Sequence, residues 1–230
     1  KENEIDQGRE LLTDFMRQMR AILDRVGSGR GRRIEAIVRF HVALEARHYQ
    51  DMEYADGADI VGWMKEELVD MVVPTVPVAA VEGARYMKKY VDAARECPCV
   101  VFAGTRNPNH DDLTMRPITQ EILRAQIFSY ERAGVDGVYY WWPRIDPGHA
   151  NWGMLQEIGH PERLARGDKH FIASENLPMT LKPDSDNEVP FLISDDLVAA
   201  EAQGYLSDVR LRIRILHLRP EDDIRLSLNG

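Results

Sequence analysis

The sequence predicts an α/β fold, and three observations predict it. Stretches with helical apolar periodicity alternate with short apolar runs over the first three quarters of the chain. The short runs are apolar on both phases, as in Ile34 to Val38 and Met71 to Val73, which suits parallel strands covered on both faces. Two segments share one grammar: Leu68-Val69-Asp70-Met71-Val72-Val73 and Gly134-Val135-Asp136-Gly137-Val138-Tyr139 each read as a helix end, then Val-Asp, then a strand. That is the rhythm of a repeated helix-then-strand unit. About four such units are half of a (β/α)8 TIM barrel. The expected architecture is therefore the C-terminal half of a barrel over residues 1–173, then a partial, sandwich-like antiparallel β domain over residues 174–230. A helix with no strand before it comes first, so the chain reads as cut within the barrel. A half-barrel made alone is expected to be aggregation-prone or dimeric.

The elements follow in order. Residues 6–26 predict a helix, with Leu11, Leu12, Phe15, Met16, Met19, Ile22, Leu23 and Val26 as one apolar stripe and Gly27 as its end. Arg33 to Val42 predicts a strand, and His41 to Asp56 a polar loop. Asp59 is placed to cap a helix running to Leu68, with Ile60, Trp63 and Met64 inward. Met71 to Val76 is the next strand, Val81 to Glu96 a helix, Cys99 to Thr105 a strand, and Arg106 to Pro117 a loop. Ile118 to Gly134 is an amphipathic helix closed by glycine. It feeds a buried strand, Val135 to Trp142, broken by Pro143. Trp152 to Ile172 reads as helix in pieces, with Pro161 opening a new turn. Composition changes at about Ser174, and Asp195 or Asp196 is placed to cap a short helix ending at Gly204. Val209, Leu211 and Ile213 then alternate with Arg210, Arg212 and Arg214, and Ile224, Leu226 and Leu228 alternate again after a turn, which predicts a hairpin.

Composition narrows the function. The chain has 230 residues, 44% hydrophobic and 29% charged, a globular balance. Its formal charge is -9, which argues against a nucleic-acid backbone as partner. Arg30, Arg32 and Arg33 cluster, but in a glycine-rich turn. No apolar run is long enough to suggest a membrane span. Cys97 and Cys99, separated by Pro98, are too close for an ordinary disulfide and lack a second pair for zinc, so they read as small hydrophobes at a helix-to-strand junction.

Candidate chemistry sits at the carboxyl ends of the strands, where ligands bind in α/β folds. Those ends supply Arg39, His41, Thr75, Arg106, Trp141 and Trp142. A tryptophan there offers a π-face to the C–H face of a pyranose, although adjacent strand residues face opposite ways and at most one of the pair should point into the site. Arg39 and Arg106 suit a carboxylate or phosphate, or else a salt bridge at the rim. Glycoside hydrolysis needs two carboxyl groups; the strand ends carry none, and the loops offer Glu45, Glu53, Asp111, Asp112 and Asp146. His41, His110, Asp111 and His149 lack the succession of strand-end histidines that a metal hydrolase uses, so no metal and no cofactor are expected.

The runs Trp63–Pro74 (WMKEELVDMVVP), Ala133–Tyr139 (AGVDGVY) and Leu155–Glu162 (LQEIGHPE) resemble the glycosyl-hydrolase-like TIM-barrel proteins, the group similar to family ten-type hydrolases. So does Leu12–Met16 (LTDFM) ahead of the arginine-rich turn and the Val38-Arg39 strand, and the resemblance spans about residues 9–172. It implies a (β/α)8 barrel with an appended β domain and action on glycosidic bonds. It also implies an acidic residue at the barrel's fourth strand, which falls ahead of Lys1. The expected function is action on a polysaccharide or glycoside, with non-catalytic saccharide binding as the alternative; the expected partner is a carbohydrate.

Overall fold

The structure, a computed structural model, describes residues 2–42, 57–76, 83–105, 119–140, 152–173, 179–182, 185–189 and 192–228. It divides into two units, residues 1–195 and 196–230. In the first, α1 (Glu2–Gly29) precedes β1 (Ile37–His41), α2 (Ile60–Lys65), β2 (Met71–Thr75), α3 (Gly83–Ala94), β3 (Val100–Gly104), α4 (Gln120–Ala133), β4 (Gly137–Tyr139), α5 (Trp152–Leu155) and α6 (Pro161–Arg166). The second holds α7 (Leu197–Ala202).

The four strands pair in parallel in the order β1-β2-β3-β4, as the alternation predicts. Right-handed crossovers between strands in sequential order put every connecting helix on one face of the sheet. The packing agrees. Val38, Phe40, Val72 and Val101 meet Trp63, Met64, Tyr90 and Val91. Ala103 packs with Met87 and Tyr130, and Val138 with Leu123 and Ile127. The Phe40 and Tyr90 rings meet edge to face at 5.2 Å. Residues of the opposite parity therefore point to the other face, where Ile37 is 58% and Tyr139 38% exposed while Val73 and Thr75 are buried.

Both Val-Asp segments work as clamps. The Ala36 N–H donates to Asp70 Oδ2 (2.8 Å) and the Val101 N–H donates to Asp136 Oδ2 (2.8 Å). Each aspartate also gives its own N–H back, Asp70 to the Ala36 carbonyl and Asp136 to the Val101 carbonyl, both at 2.9 Å. A helix end is thus tied to the neighbouring strand at the point where its own strand begins, and register follows. Asp70 carries more. Its Oδ2 also accepts from Arg20 Nη1 (3.0 Å) and its Oδ1 from Arg33 Nε (2.6 Å).

Local signals place the helix ends. Asp59 caps α2 through the Gly62 N–H (3.1 Å), and Thr119 caps α4 through the Ile122 N–H. Gly134 closes α4 at φ 92°, a left-handed conformation that glycine adopts without strain. Pro161 opens α6 and Asp196 caps α7. Cys97 and Cys99 are free thiols that pack in the core, and burial pushes the Cys99 thiol up to about 12.

Several expectations are corrected. The fold is α/β with a four-stranded, all-parallel sheet, and a half-barrel is not established: among the described residues the strands form an open row in which β1 and β4 each have one neighbour. Alternating helices and strands dictate parallel order, but they do not dictate the tilt and stagger that closure needs. There is no antiparallel β domain among the described residues of 196–228, which form no strand. Val209, Leu211 and Ile213 alternate as expected but lie exposed, because period-two apolar spacing makes a strand only against a surface that buries one face. The first helix runs on to Gly29, so Gly27 does not end it. A Cβ on Gly27 would lie 2.5 Å from the Arg32 carbonyl oxygen, so its role is to let the returning chain pass close by. Among the described residues no helix is long and apolar enough to cross a membrane.

Asp70→Ala is expected to destabilise far more than Asp136→Ala. The first removes one of the two carboxylates on buried Arg20 together with the partner of Arg33 and of the Ala36 N–H, at about 3 kcal/mol or more; the second removes one charge-assisted bond, at about 1–3 kcal/mol. Denaturant midpoints of the two variants check the order, and equal losses would contradict it.

Candidate functional site

The register of the sheet builds a row at its carboxyl edge. His41 pairs with Thr75, Thr75 with Gly104, and Gly104 with Tyr139. Directly paired residues of a parallel sheet share a face, so all four stand on the face away from the helices. Arg39 stands two residues below His41 on the same face. Its Nη2 lies 3.2 Å from His41 Nε2. A guanidinium only donates, so in this contact the imidazole nitrogen is the acceptor. Thr75 is buried, with Oγ1 donating to the Val73 carbonyl (3.4 Å).

Glycine at 104 is a steric requirement of this row. A Cβ there would collide with Thr75 Oγ1. Thr75 Oγ1 fills the space that Gly104 leaves, and both residues are buried. One step toward the amino edge the pattern recurs: a Cβ on Gly137 would lie 2.5 Å from Phe102 Cε1, so Phe102 fills the space that Gly137 leaves. The row thus reads imidazole, buried hydroxyl, glycine, phenol, with a guanidinium behind the imidazole. The four strands contain no carboxylate.

Of the residues expected from the sequence, Arg39, His41 and Thr75 lie near one another at the ends of β1 and β2. Arg106, Trp141 and Trp142 lie outside the described residues, as do His110, His149 and the loop carboxylates Glu45, Glu53, Asp111, Asp112 and Asp146. Among the described residues no group of three His, Cys, Asp or Glu side chains is arranged to hold a metal. Sequence reasoning missed Tyr139 and Gly104. It carried the last strand through to Trp142, whereas β4 ends at Tyr139, and so it looked for the aromatic edge beyond the paired residue. The following Tyr140 faces the helices, packing near Leu123 and Met154, and burial pushes its phenol up to about 12.

The strongest polar network away from the edge joins α4 to the segment after α5. Arg124 donates from Nε to Glu157 Oε2 (2.6 Å), from Nη2 to Glu157 Oε1 (2.9 Å), and to the Asp168 carbonyl. Gln120 Nε2 adds a bond to Glu157 (2.9 Å). The bond from Arg124 holds the Glu157 carboxyl below the usual range, so Glu157 stays an anion fixed in a structural pair. Glu131 differs. Burial, and after it the nearby Glu162, hold its carboxyl above the usual range, against a bond from the Gly159 N–H. Its Oε2 is buried without a hydrogen-bond partner. It stands in the last turn of α4, where the helix dipole also disfavours an anion. That end of α4 leads into the start of β4, so Glu131 belongs to the opposite edge from the row.

Comparison with protein-family models finds no match to this chain, and comparison with curated proteins finds none either.

A carboxyl raised by folding costs stability when it is ionised, above its folded pKa, and costs nothing once both states are protonated below the ordinary value of 4.5. Glu131→Gln is therefore expected to raise the melting temperature at neutral pH and to melt like the parent at about pH 3.5, below both titrations. Thermal unfolding at the two pH values checks this. A variant no more stable than the parent at neutral pH would contradict it.

Proposed function

We propose that this chain binds a saccharide at the carboxyl edge of its sheet. The observation that carries the reading is the register row: His41, Thr75, Gly104 and Tyr139, one from each strand, on one face, with Arg39 behind. A sugar ring presents hydroxyls at its rim and C–H groups on its face. The His41 imidazole and the Arg39 guanidinium bring polar groups to this edge, and the Tyr139 phenol brings an aromatic surface. A few convergent polar groups beside one aromatic surface are common features of small-ligand sites.

Hydrolysis of a glycosidic bond is the second reading, supported by the resemblance of Trp63–Pro74, Ala133–Tyr139 and Leu155–Glu162 to glycosyl-hydrolase-like proteins. It requires two carboxyl groups about the scissile bond. The strands supply none, so the acids would come from elsewhere. Binding is therefore the reading that the row supports best, and turnover is a separate question for assay.

Titration calorimetry with neutral and carboxylated oligosaccharides tests the proposal. Tyr139→Ala and His41→Ala should each weaken binding by about 1 kcal/mol or more, the scale of an aromatic contact or a net hydrogen bond. Ile37→Ala, at the amino end of the same face, should leave affinity unchanged. No heat with any oligosaccharide, or parent-like affinity in both the Tyr139 and His41 variants, would remove the reading.

A further inference from the structure

We propose that the chain pairs with a second copy of itself through an antiparallel contact between the two α1 helices. The helix has two apolar seams. Leu12 and Met16 lie on the inner one and pack against the core, in line with the buried Arg20 and Gly27. The outer seam is Leu11, Phe15, Met19, Ile22 and Val26, exposed by 73, 53, 37, 43 and 37%. Steps of three and four residues keep this set on one narrow stripe, the form of a helix-pairing seam rather than of scattered surface apolar residues.

The stripe is self-complementary when reversed. Turning a second helix about a point between Gln18 and Met19 sets Leu11 against Val26 and Phe15 against Ile22, and brings the two Met19 side chains to the axis. A two-fold contact needs this property, since one patch must fit its own copy.

Charge fixes the same direction. Residues 2–14 carry five acids and one arginine, whereas residues 15–33 carry six arginines and one acid. Part of this charge is used within the chain: Arg17 pairs with Asp14 and Glu66, Arg20 with Asp24 and Asp70, and Arg33 with Asp70. Arg25, Arg30 and Arg32 are exposed and take no ion pair among the described residues, and at the other end Glu10 is exposed and takes none either. Antiparallel pairing lays the acidic end of one helix against the basic end of the other; parallel pairing would set arginines against arginines. The helix dipole favours the same gradient within one helix, but it gives no reason for an exposed apolar seam beside it. A second copy satisfies both.

Sedimentation equilibrium of the 230-residue chain over a roughly hundredfold concentration range reads the result. A reversible monomer–dimer equilibrium is expected. Ile22→Asp changes a side chain exposed in the single copy. It should raise the dissociation constant by about tenfold or more with an unchanged circular dichroism spectrum. Arg25→Glu leaves the seam intact and keeps the test open if Ile22→Asp misfolds; it should weaken the dimer by a smaller factor that vanishes at high salt. A monomer throughout the range overturns the proposal and leaves the seam to a partner of different sequence. So does a folded Ile22→Asp variant with the parent dissociation constant, or an Arg25→Glu variant with parent affinity at low salt.

Discussion

Asp70 ties four parts of the chain together through one carboxylate. It takes the Ala36 N–H ahead of β1, Arg20 from the middle of α1 and Arg33 from the turn between them, while its own backbone begins β2. Arg20 is 7% exposed and donates to Asp24 and to the Ile34 carbonyl as well, so its charge is fully engaged. A buried guanidinium is tolerable only with such a set of acceptors. Because Asp70 belongs to the αβ turn and not to a strand, it aligns β1 with β2 without interrupting the ladder. Asp136 repeats the arrangement between β3 and β4 with the single Val101 N–H. In a sheet whose strands are three to five residues long, two such ties decide register as much as the ladders do.

Register in turn decides what the carboxyl edge displays. Side chains alternate between faces, so a slip of one residue in β1 would turn His41 and Arg39 onto the helix side and bring Val38 and Phe40 out. The two glycines in the row and beside it matter for the same reason. Gly104 admits Thr75, and Gly137 admits Phe102, so side chains of the neighbouring strands fill both places on this face. The helix face has the opposite character, apolar throughout, from Phe40 on Tyr90 to Val138 on Leu123 and Ile127. The polarity of the row is thus tied to the handedness of the crossovers: with all helices on one side, chemistry is left to the other.

Much of this is legible in the residues. The Val-Asp echo announced two helix-to-strand turns, though not that each carboxylate would reach for a neighbouring strand's amide. Caps at Asp59 and Gly134, and the last one to within Asp195 or Asp196, were readable because they rest on one side chain or one conformation. Closure was not readable, since alternation is a local signal and curvature is not. The tail misled for a related reason. Val209 to Ile213 has strand periodicity, but alternation reports a preference that only a partner surface realises. In α1 the outer seam at Leu11, Phe15 and Ile22 and the inner one at Leu12, Met16 and Leu23 run side by side at helical spacing, so they merged into one stripe; only burial separates them. At the site, Arg39, His41 and Thr75 could be named from position in the strand. Tyr139 could not, because nothing in Val138-Tyr139-Tyr140-Trp141 marks where pairing stops.

The central claim is that the two aspartates set the register from which the carboxyl-edge row follows. Amide hydrogen exchange of the Ala36 and Val101 N–H groups tests it most directly, since both donate to carboxylates rather than to strand carbonyls. Both amides should be protected to the level of the central β2 amides near neutral pH, Ala36 included although it precedes β1. In Asp70→Asn and Asp136→Asn, each should lose protection ahead of the amides of the β2–β3 ladder. Exchange of Ala36 and Val101 at loop rates in the parent protein would contradict the claim.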